Sequence, residues 1–197
     1  TSADEAMQAA REIGAPLAMK ILSDDITHKT DVGGVLLGVS QERVGEAFQT
    51  IQERVRQSVP EARIDGVLLM EMAIPGGVEL ILGSFRDPKL GATVMLGSGG
   101  IYSEILKDTA FGLAPVSRNR AEYMLSTLRI FPILHGARGG APFDTVSVIE
   151  CVGRLSQLLA DFPDIRELDV NPFIVDPEAP DRKGVLLVDG RILLLAL

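Results

Sequence analysis

A histidine, a lysine, a threonine and an aspartate follow one another at His28-Lys29-Thr30-Asp31, and Val32-Gly33-Gly34 completes the run. An imidazole near neutral pH serves as acid, base or phosphoryl acceptor. Paired glycines permit the close backbone approach and positive φ that a phosphate-facing turn requires. The plain alternative is a solvated loop with a two-glycine turn, and residue type alone leaves both open. Lys20 lies upstream in the apolar run Ala18-Met19-Lys20-Ile21-Leu22. Strand alternation sets it opposite Met19 and Ile21, so it either reaches an anion in a cleft or snorkels from a half-exposed strand.

Three further groups carry chemistry. Gly97-Ser98-Gly99-Gly100 follows an apolar strand and reads as a backbone cradle or as a turn. Glu71 and Glu79 interrupt strongly apolar segments, where a carboxylate needs a partner, a ligand hydroxyl or a solvent-facing position; alternation favours the last for Glu79. Asp169, Asn171 and Asp189 are the oxygen donors best suited to a metal. Asp169 and Asn171 share one face of a strand, and Mg²⁺ accepts a carboxylate and an amide while keeping waters and phosphate oxygens. Asp189-Gly190 between two apolar runs is also a hairpin-turn signal. Cys151 falls on an apolar helix and reads as a core thiol.

The elements that position these residues follow from periodicity. Ser2 and Glu5 form a capping box for a first helix with Ala6, Met7, Ala10 and Ile13 on one face and Gly14 as its stop. Strands are expected over 16–22 and 35–39, with a polar stretch between them. Ser40 is placed to cap a helix with Val44, Phe48, Ile51 and Val55 on its buried face, closed by Pro60. Strands follow over 64–72, 78–85 and 92–96, then a short extended piece over 101–106. A helix is expected over 117–128. After a Gly/Arg loop, Asp144 caps a longer helix with Ile149, Val152, Leu155, Ser156 and Leu159 on one side. The end is β again, over 167–175, 184–188 and 191–197. Strands in succession with hairpin-length connections favour an α+β fold over a doubly wound parallel sheet.

Composition bounds the function. The 197 residues are 46% hydrophobic with a formal charge of −8, enough for one real core or two small lobes. Apolar runs are far shorter than the roughly 18–20 residues of a membrane helix. The acidic balance argues against a nucleic-acid partner, whose footprint is a basic stripe. One cysteine makes neither an internal disulfide nor a cysteine zinc site, which fits a reducing, cytoplasmic setting. The chain opens with Thr1 at a helix-start signal and is expected to be a segment of a longer protein.

Taken in order, Lys20, the 28–34 run, Gly77-Val78-Glu79-Leu80, Arg86-Asp87-Pro88, the Gly97–Gly100 cluster, Gly136-Ala137-Arg138-Gly139, Leu168-Asp169-Val170-Asn171-Pro172 and Val188-Asp189 form a pattern. It resembles the ATP-grasp domain of the NDP-forming acyl-CoA synthetases, the group containing ADP-forming acetyl-CoA synthetase, and more distantly the β-subunit of succinyl-CoA synthetase. The resemblance spans nearly the whole chain. It implies two lobes with antiparallel sheets and flanking helices that hold ATP between them, a smaller nucleotide-binding lobe over about 1–72 and a larger lobe with the metal site over about 73–197. It also implies a ligase reaction in which acid, CoA and ATP interconvert with acyl-CoA, ADP and phosphate through an acyl phosphate and a phosphohistidine.

Carried over residue by residue, Lys20 contacts ATP phosphates, and Gly33, Gly34 and the Gly97–Gly100 loop, Gly99 and Gly100 included, approach them. Glu71 and Met72 flank the adenine at the hinge and Glu79 meets the ribose. Asn171 and Asp189 ligate Mg²⁺, and His28 receives the phosphoryl group on the ATP side. Gly112 departs from the pattern, standing where many relatives carry arginine, which would weaken anion binding. The CoA-binding and phosphohistidine domains are expected in the same longer chain or a partner subunit. Two other readings compete: a catalytically silent synthetase-like region of a protein lysine acetyltransferase, and a structural domain that binds no nucleotide.

Overall fold

Helix α1 (Ala3–Ile13) begins as its sequence predicts. The Ser2 hydroxyl accepts the Glu5 amide, the Glu5 carboxylate accepts the Ser2 amide, and Gly14 ends the helix. The computed structural model describes residues 1–14, 16–26, 28–73, 76–100, 103, 107–177 and 184–195. Its chain divides into two compact units, Thr1–Met72 and Ala73–Leu197.

The first unit holds β1 (Leu17–Leu22), β2 (Val35–Val39) and β3 (Gly66–Glu71) in an antiparallel sheet of order β2-β1-β3. Helix α2 (Val44–Ser58) packs on β1 and β2 and α1 on β3, and the two helices touch each other. Leu17, Met19 and Ile21 point from β1 into this core, where they meet the predicted α2 face of Val44, Phe48, Ile51 and Val55. Two expectations are corrected here. The buried stripe of α1 narrows to Ala6 and Ala10, while Met7 and Ile13 lie 37% and 40% exposed. Met7 lies over Gly45 of α2 instead of entering the core. Ser40 makes no side-chain cap, because a 3-10 turn (Gln41–Arg43) intervenes and α2 starts only at Val44.

The second unit is built on β4 (Val78–Asp87), β5 (Gly91–Ser98), β6 (Thr109–Leu113), β7 (Ile165–Val175), β8 (Val185–Leu187) and β9 (Gly190–Leu194). Every pairing is antiparallel, the order is β6-β5-β4-β7-β8, and β9 also pairs with β7. Helices α3 (Arg118–Thr127), α4 (Phe131–Leu134) and α5 (Thr145–Asp161) complete the unit. Ser117 caps α3 by accepting the Arg120 amide, and Asp144 caps α5 by accepting the Ser147 amide. Val148, Val152, Leu155 and Leu159 of α5 enter one core with Leu80 and Leu82 of β4 and Leu168, Val170 and Phe173 of β7. Ile149, predicted on that face, packs at its margin.

β6 and α4 go beyond the predicted elements. The extended piece predicted over 101–106 lies outside the described residues except for Ser103, which is helical. The last strand ends at Leu194, and residues 196 and 197 of the predicted strand lie outside the described residues. Between β4 and β5, the Asp87 carboxylate accepts the Lys89 and Leu90 amides, and these bonds hold its pKa below the usual carboxylate range. Neighbouring Arg86 has a different task. Its guanidinium donates to the carbonyls of Leu159 (2.6 Å), Phe162 (3.1 Å) and Ile165 (2.8 Å), capping the C-terminal end of α5 and tying it to the start of β7. Arg86→Met removes a charged donor shared by three carbonyls and is expected to cost about 2–3 kcal/mol in urea denaturation. Arg86→Lys should recover only part of it, because an ammonium lacks the planar fork.

Candidate functional site

β7 is the spine of the second unit's site. Its C-terminal part pairs with β8 (Phe173↔Leu187) and its N-terminal part with β9 (Val170↔Gly190). β8 and β9 therefore lie end to end along one edge of β7 without forming a hairpin with each other. The turn reading of Asp189-Gly190 is overturned: the two residues continue an edge strand, and the Gly190 amide donates to the Asp189 carboxylate at 3.0 Å. The join falls at Asn171-Pro172, where proline has no N–H to give the ladder. There the Asn171 amide donates to the Asp189 carbonyl and the Val188 amide to the Pro172 carbonyl, both at 3.2 Å. Asn171 and Asp189 thus face each other across the ladder, both exposed, on the side of the sheet away from the core.

Asp169 shares that face and pairs in register with Arg191, a residue that sequence reasoning passed over although it lies two positions beyond Asp189 on the same side. Burial pushes the Asp169 carboxyl up from its ordinary value; the Arg191 charge opposes this and the Asp189 charge adds to it. Among the described residues no group of three His, Cys, Asp or Glu side chains could hold a metal by itself. A carboxylate beside an amide is instead the sparse oxygen set that suits Mg²⁺ when phosphates and waters supply its remaining ligands.

Glu79, Gly99 and Gly100 come together at the start of β4. Glu79 is exposed between buried Val78 and Leu80, as alternation predicts. Its carbonyl accepts the Gly99 amide at 2.8 Å. A Cβ on Gly99 would stand 2.9 Å from three backbone atoms of Glu79 and Leu80, and one on Gly100 would stand 2.8 Å from the Glu79 carboxylate. Gly112 sits on β6 with its missing Cβ aimed at Met124 and Val116, so packing against α3 explains the glycine there.

In the first unit, Lys20 is the central charge of β1, paired with Val35 and Leu68. It lies on the side away from the helices and is only 8% exposed, which excludes the half-exposed, snorkelling alternative. Glu71, exposed, pairs with Leu17 at the far end of the same ladder, and the Met72 amide donates to the Pro16 carbonyl at 3.4 Å just before the boundary between units. The 28–34 loop is stitched by its own backbone: Asp31 donates to His28, Gly33 to Thr30 and Gly34 to Lys29, the last at 2.8 Å. The Gly34 carbonyl in turn accepts the Ile21 amide, anchoring the loop beside Lys20. Gly33 holds φ at +67° against the stem of Arg54, and Gly34 leaves no room for a side chain beside Ile21 and the Lys29 carbonyl. These two amides are spent within the loop, so the glycines shape it, and the side chains of His28, Thr30 and Asp31 are exposed on it. Cys151 is half-buried at the margin of the core, and burial raises its pKa, so it stays an unreactive thiol.

A family model described as an ATP-grasp domain matches residues 1–194. The chain is 45% identical over 189 residues to 4-hydroxybutyrate–CoA ligase [ADP-forming] of Nitrosopumilus maritimus, covering 95% of this chain and 26% of that one. It is 38% identical over 192 residues to the β subunit of acetate–CoA ligase [ADP-forming] I of Pyrococcus furiosus, covering 97% of this chain and 80% of the subunit. A solved structure of Ca. Korarchaeum cryptofilum acetyl-coenzyme A synthetase 1 with coenzyme A and Ca-AMPCP superimposes with a TM-score of 0.92 at 41% identity, covering 99% of this chain and 83% of that one. The chain spans about a quarter of the length of the Nitrosopumilus relative. No helix among the described residues is long and apolar enough to cross a membrane.

Gly99→Ala drives a methyl group into backbone that cannot yield cheaply, and is expected to cost about 1–3 kcal/mol in chemical denaturation. Gly153→Ala on α5, where the added Cβ meets nothing within 4 Å, should be neutral or stabilise by up to about 1 kcal/mol on helix propensity.

Proposed function

The chain belongs to the ATP-grasp domain family, and from that premise we propose that it is the nucleotide-handling part of an ADP-forming acyl-CoA synthetase. The observation that carries this reading is the in-register pair Asn171 and Asp189, an amide and a carboxylate held across a strand junction on the open face of the sheet. Both named relatives are ADP-forming CoA ligases, which favours this reading over a silent scaffold.

Each residue then has a task. Lys20 neutralises phosphate charge from β1. Glu71 and Met72 flank the adenine, Glu79 takes the ribose hydroxyls, and Gly99 and Gly100 keep the backbone beside Glu79 low enough for a ligand to approach. Asn171 and Asp189 hold Mg²⁺, which when bound supplies charge neutralisation to the phosphate oxygens. A ring nitrogen of His28, presenting its lone pair, attacks the terminal phosphorus. The bond from phosphorus to the bridging oxygen breaks, an N–P bond forms, ADP leaves, and the ring proton passes to water. Phosphoryl transfer asks a protein mainly for positioning and charge, and a lysine, a metal-binding pair and a histidine are the residue types that supply them. The smaller unit, Thr1–Met72, acts as the nucleotide-binding lobe and the larger, Ala73–Leu197, carries the metal site. The CoA-binding and phosphohistidine domains are supplied by the rest of a longer chain or by a partner subunit, the two arrangements that the lengths of the relatives suggest.

Calorimetric titration should give saturable ATP binding that Mg²⁺ strengthens, and Asp189→Ala should abolish the Mg²⁺-dependent gain. An ATP affinity indifferent to Mg²⁺ in the unaltered protein would defeat the metal assignment. With γ-labelled ATP and Mg²⁺, the protein should acquire an acid-labile phosphoryl group that His28→Ala lacks, while nucleotide affinity changes less than about threefold. Equal labelling of the two proteins would remove His28 from the reaction.

A further inference from the structure

Asp169 opposes Arg191 and Asn171 opposes Asp189, so that register sets four side chains in a two-by-two block on one face of the sheet. Directly opposed residues stand about 5 Å apart, and next-but-one residues on a strand about 7 Å apart. The block has a direction. Glu79 lies across from Ile174 at one end of β7, Asn171 comes next, and Asp169 lies across from Gly83 further along. From Glu79 to Gly83, the β4 positions across from Ile174 and Asp169, is four residues of extended strand, about 13 Å, and β7 spans it with one extra residue at a register irregularity. Following β7 from the residue assigned to the ribose, one passes the metal pair first and reaches Asp169 and Arg191 beyond it. Arg191 is exposed on this face, flanked by the carboxylates of Asp169 and Asp189, which would otherwise repel a polyphosphate.

We propose that Arg191 is a phosphate-binding residue that contacts the terminal phosphoryl group of a nucleoside triphosphate. The proposal rests on the function assigned above, since it takes the ribose and metal positions from it. A guanidinium presents a planar fork of donors that two phosphoryl oxygens accept at once. With Asp169 across the ladder to restrain it, the side chain stays on this face when the site is empty and turns to the phosphoryl group when the site fills. A cation at this end of the block is fully engaged only by a ligand with a third phosphate. Arg191 therefore discriminates triphosphate from diphosphate, and its charge opposes the repulsion that Asp169 and Asp189 exert on the group to be transferred.

The test is calorimetric titration with ATP, ADP and AMP, each with Mg²⁺, of the unaltered protein, Arg191→Met and Arg191→Lys. Arg191→Met should weaken ATP binding about tenfold or more and ADP binding less than threefold, and leave AMP unchanged. Arg191→Lys should restore part of the ATP affinity, since it returns the charge without the fork. Equal loss for all three nucleotides would mark Arg191 as a structural partner of Asp169 and overturn the proposal, as would unchanged ATP affinity. Arg191→Gln, which keeps a polar end on an aliphatic stem, repeats the comparison if the methionine variant lacks a cooperative thermal transition. An unaltered protein that binds no ATP overturns the assigned function itself, and the role of Arg191 with it. ATP binding that is intact in both the unaltered protein and the methionine variant overturns only the latter.

Discussion

The second unit depends on the hydrogen-bond register of one long strand. β7 runs for eleven residues and is paired along both edges, by β4 on one side and by β8 and β9 in succession on the other. A one-residue slip in such a strand would turn Leu168 and Val170 out to solvent and bury Asp169 and Asn171. The core therefore holds the site in place. Placing the hydrophobic face of β7 under α5 puts the polar face outward, and the β9 register then brings Asp189 and Arg191 to it. Arg86 reinforces this by fixing the end of α5 to the first residue of β7. A residue far from the polar face thus helps to set its geometry.

What could be read from the sequence was local. The capping box at Ser2 and Glu5 and the four-three-four spacing of Val44, Phe48, Ile51 and Val55 each act within one or two helical turns, and both appear in the structure. Apart from β6, the strands of the main sheet are legible from their β-branched runs, with their described ends within a few residues of those expected. What escaped depends on partners distant along the chain. Thr109–Leu113 is a strand because Gly91–Ser98 pairs with it. With a glycine as the fourth of its five residues, it carries little signal of its own. Ser40 has the right chemistry for a helix cap, yet the chain spends a 3-10 turn before α2 begins. Asp189-Gly190 has the composition of a hairpin turn, but β7 offers a long edge to both flanking strands and the chain continues straight.

The candidate site was legible in its residue types and less so in their tasks. Lys20, Glu79, Asn171 and Asp189 stand out because a charge or amide in an apolar strand needs a reason, and the structure sets each at a defined place on a sheet. Gly33 and Gly34 suggested a phosphate cradle by composition. Their amides bond to Thr30 and Lys29, and their missing side chains make way for Arg54 and Ile21, so composition identified the loop while its internal bonding needed the structure. Arg191 was passed over because a lone arginine near the end of a chain is ordinary. Only its position opposite Asp169 gives it weight. Charge in these strands could be read from the sequence, whereas adjacency needed the register.

The backbone stitching of the 28–34 loop has an entropic consequence. A surface loop that must be immobilised to present a reactive group gives up backbone freedom worth about 1–2 kcal/mol for each residue ordered, and that cost falls on the bound or transition state. Here Asp31, Gly33 and Gly34 donate to carbonyls inside the loop and Ile21 of β1 donates to its last residue, so the ordering is done during folding. In the proposed role, the imidazole of His28 would meet a phosphoryl group with most of its backbone freedom already surrendered. Such preorganisation turns the encounter of two reacting groups into a nearly unimolecular event. Its physical signature is slow amide exchange at Gly33 and Gly34 in a segment whose side chains remain largely open to solvent.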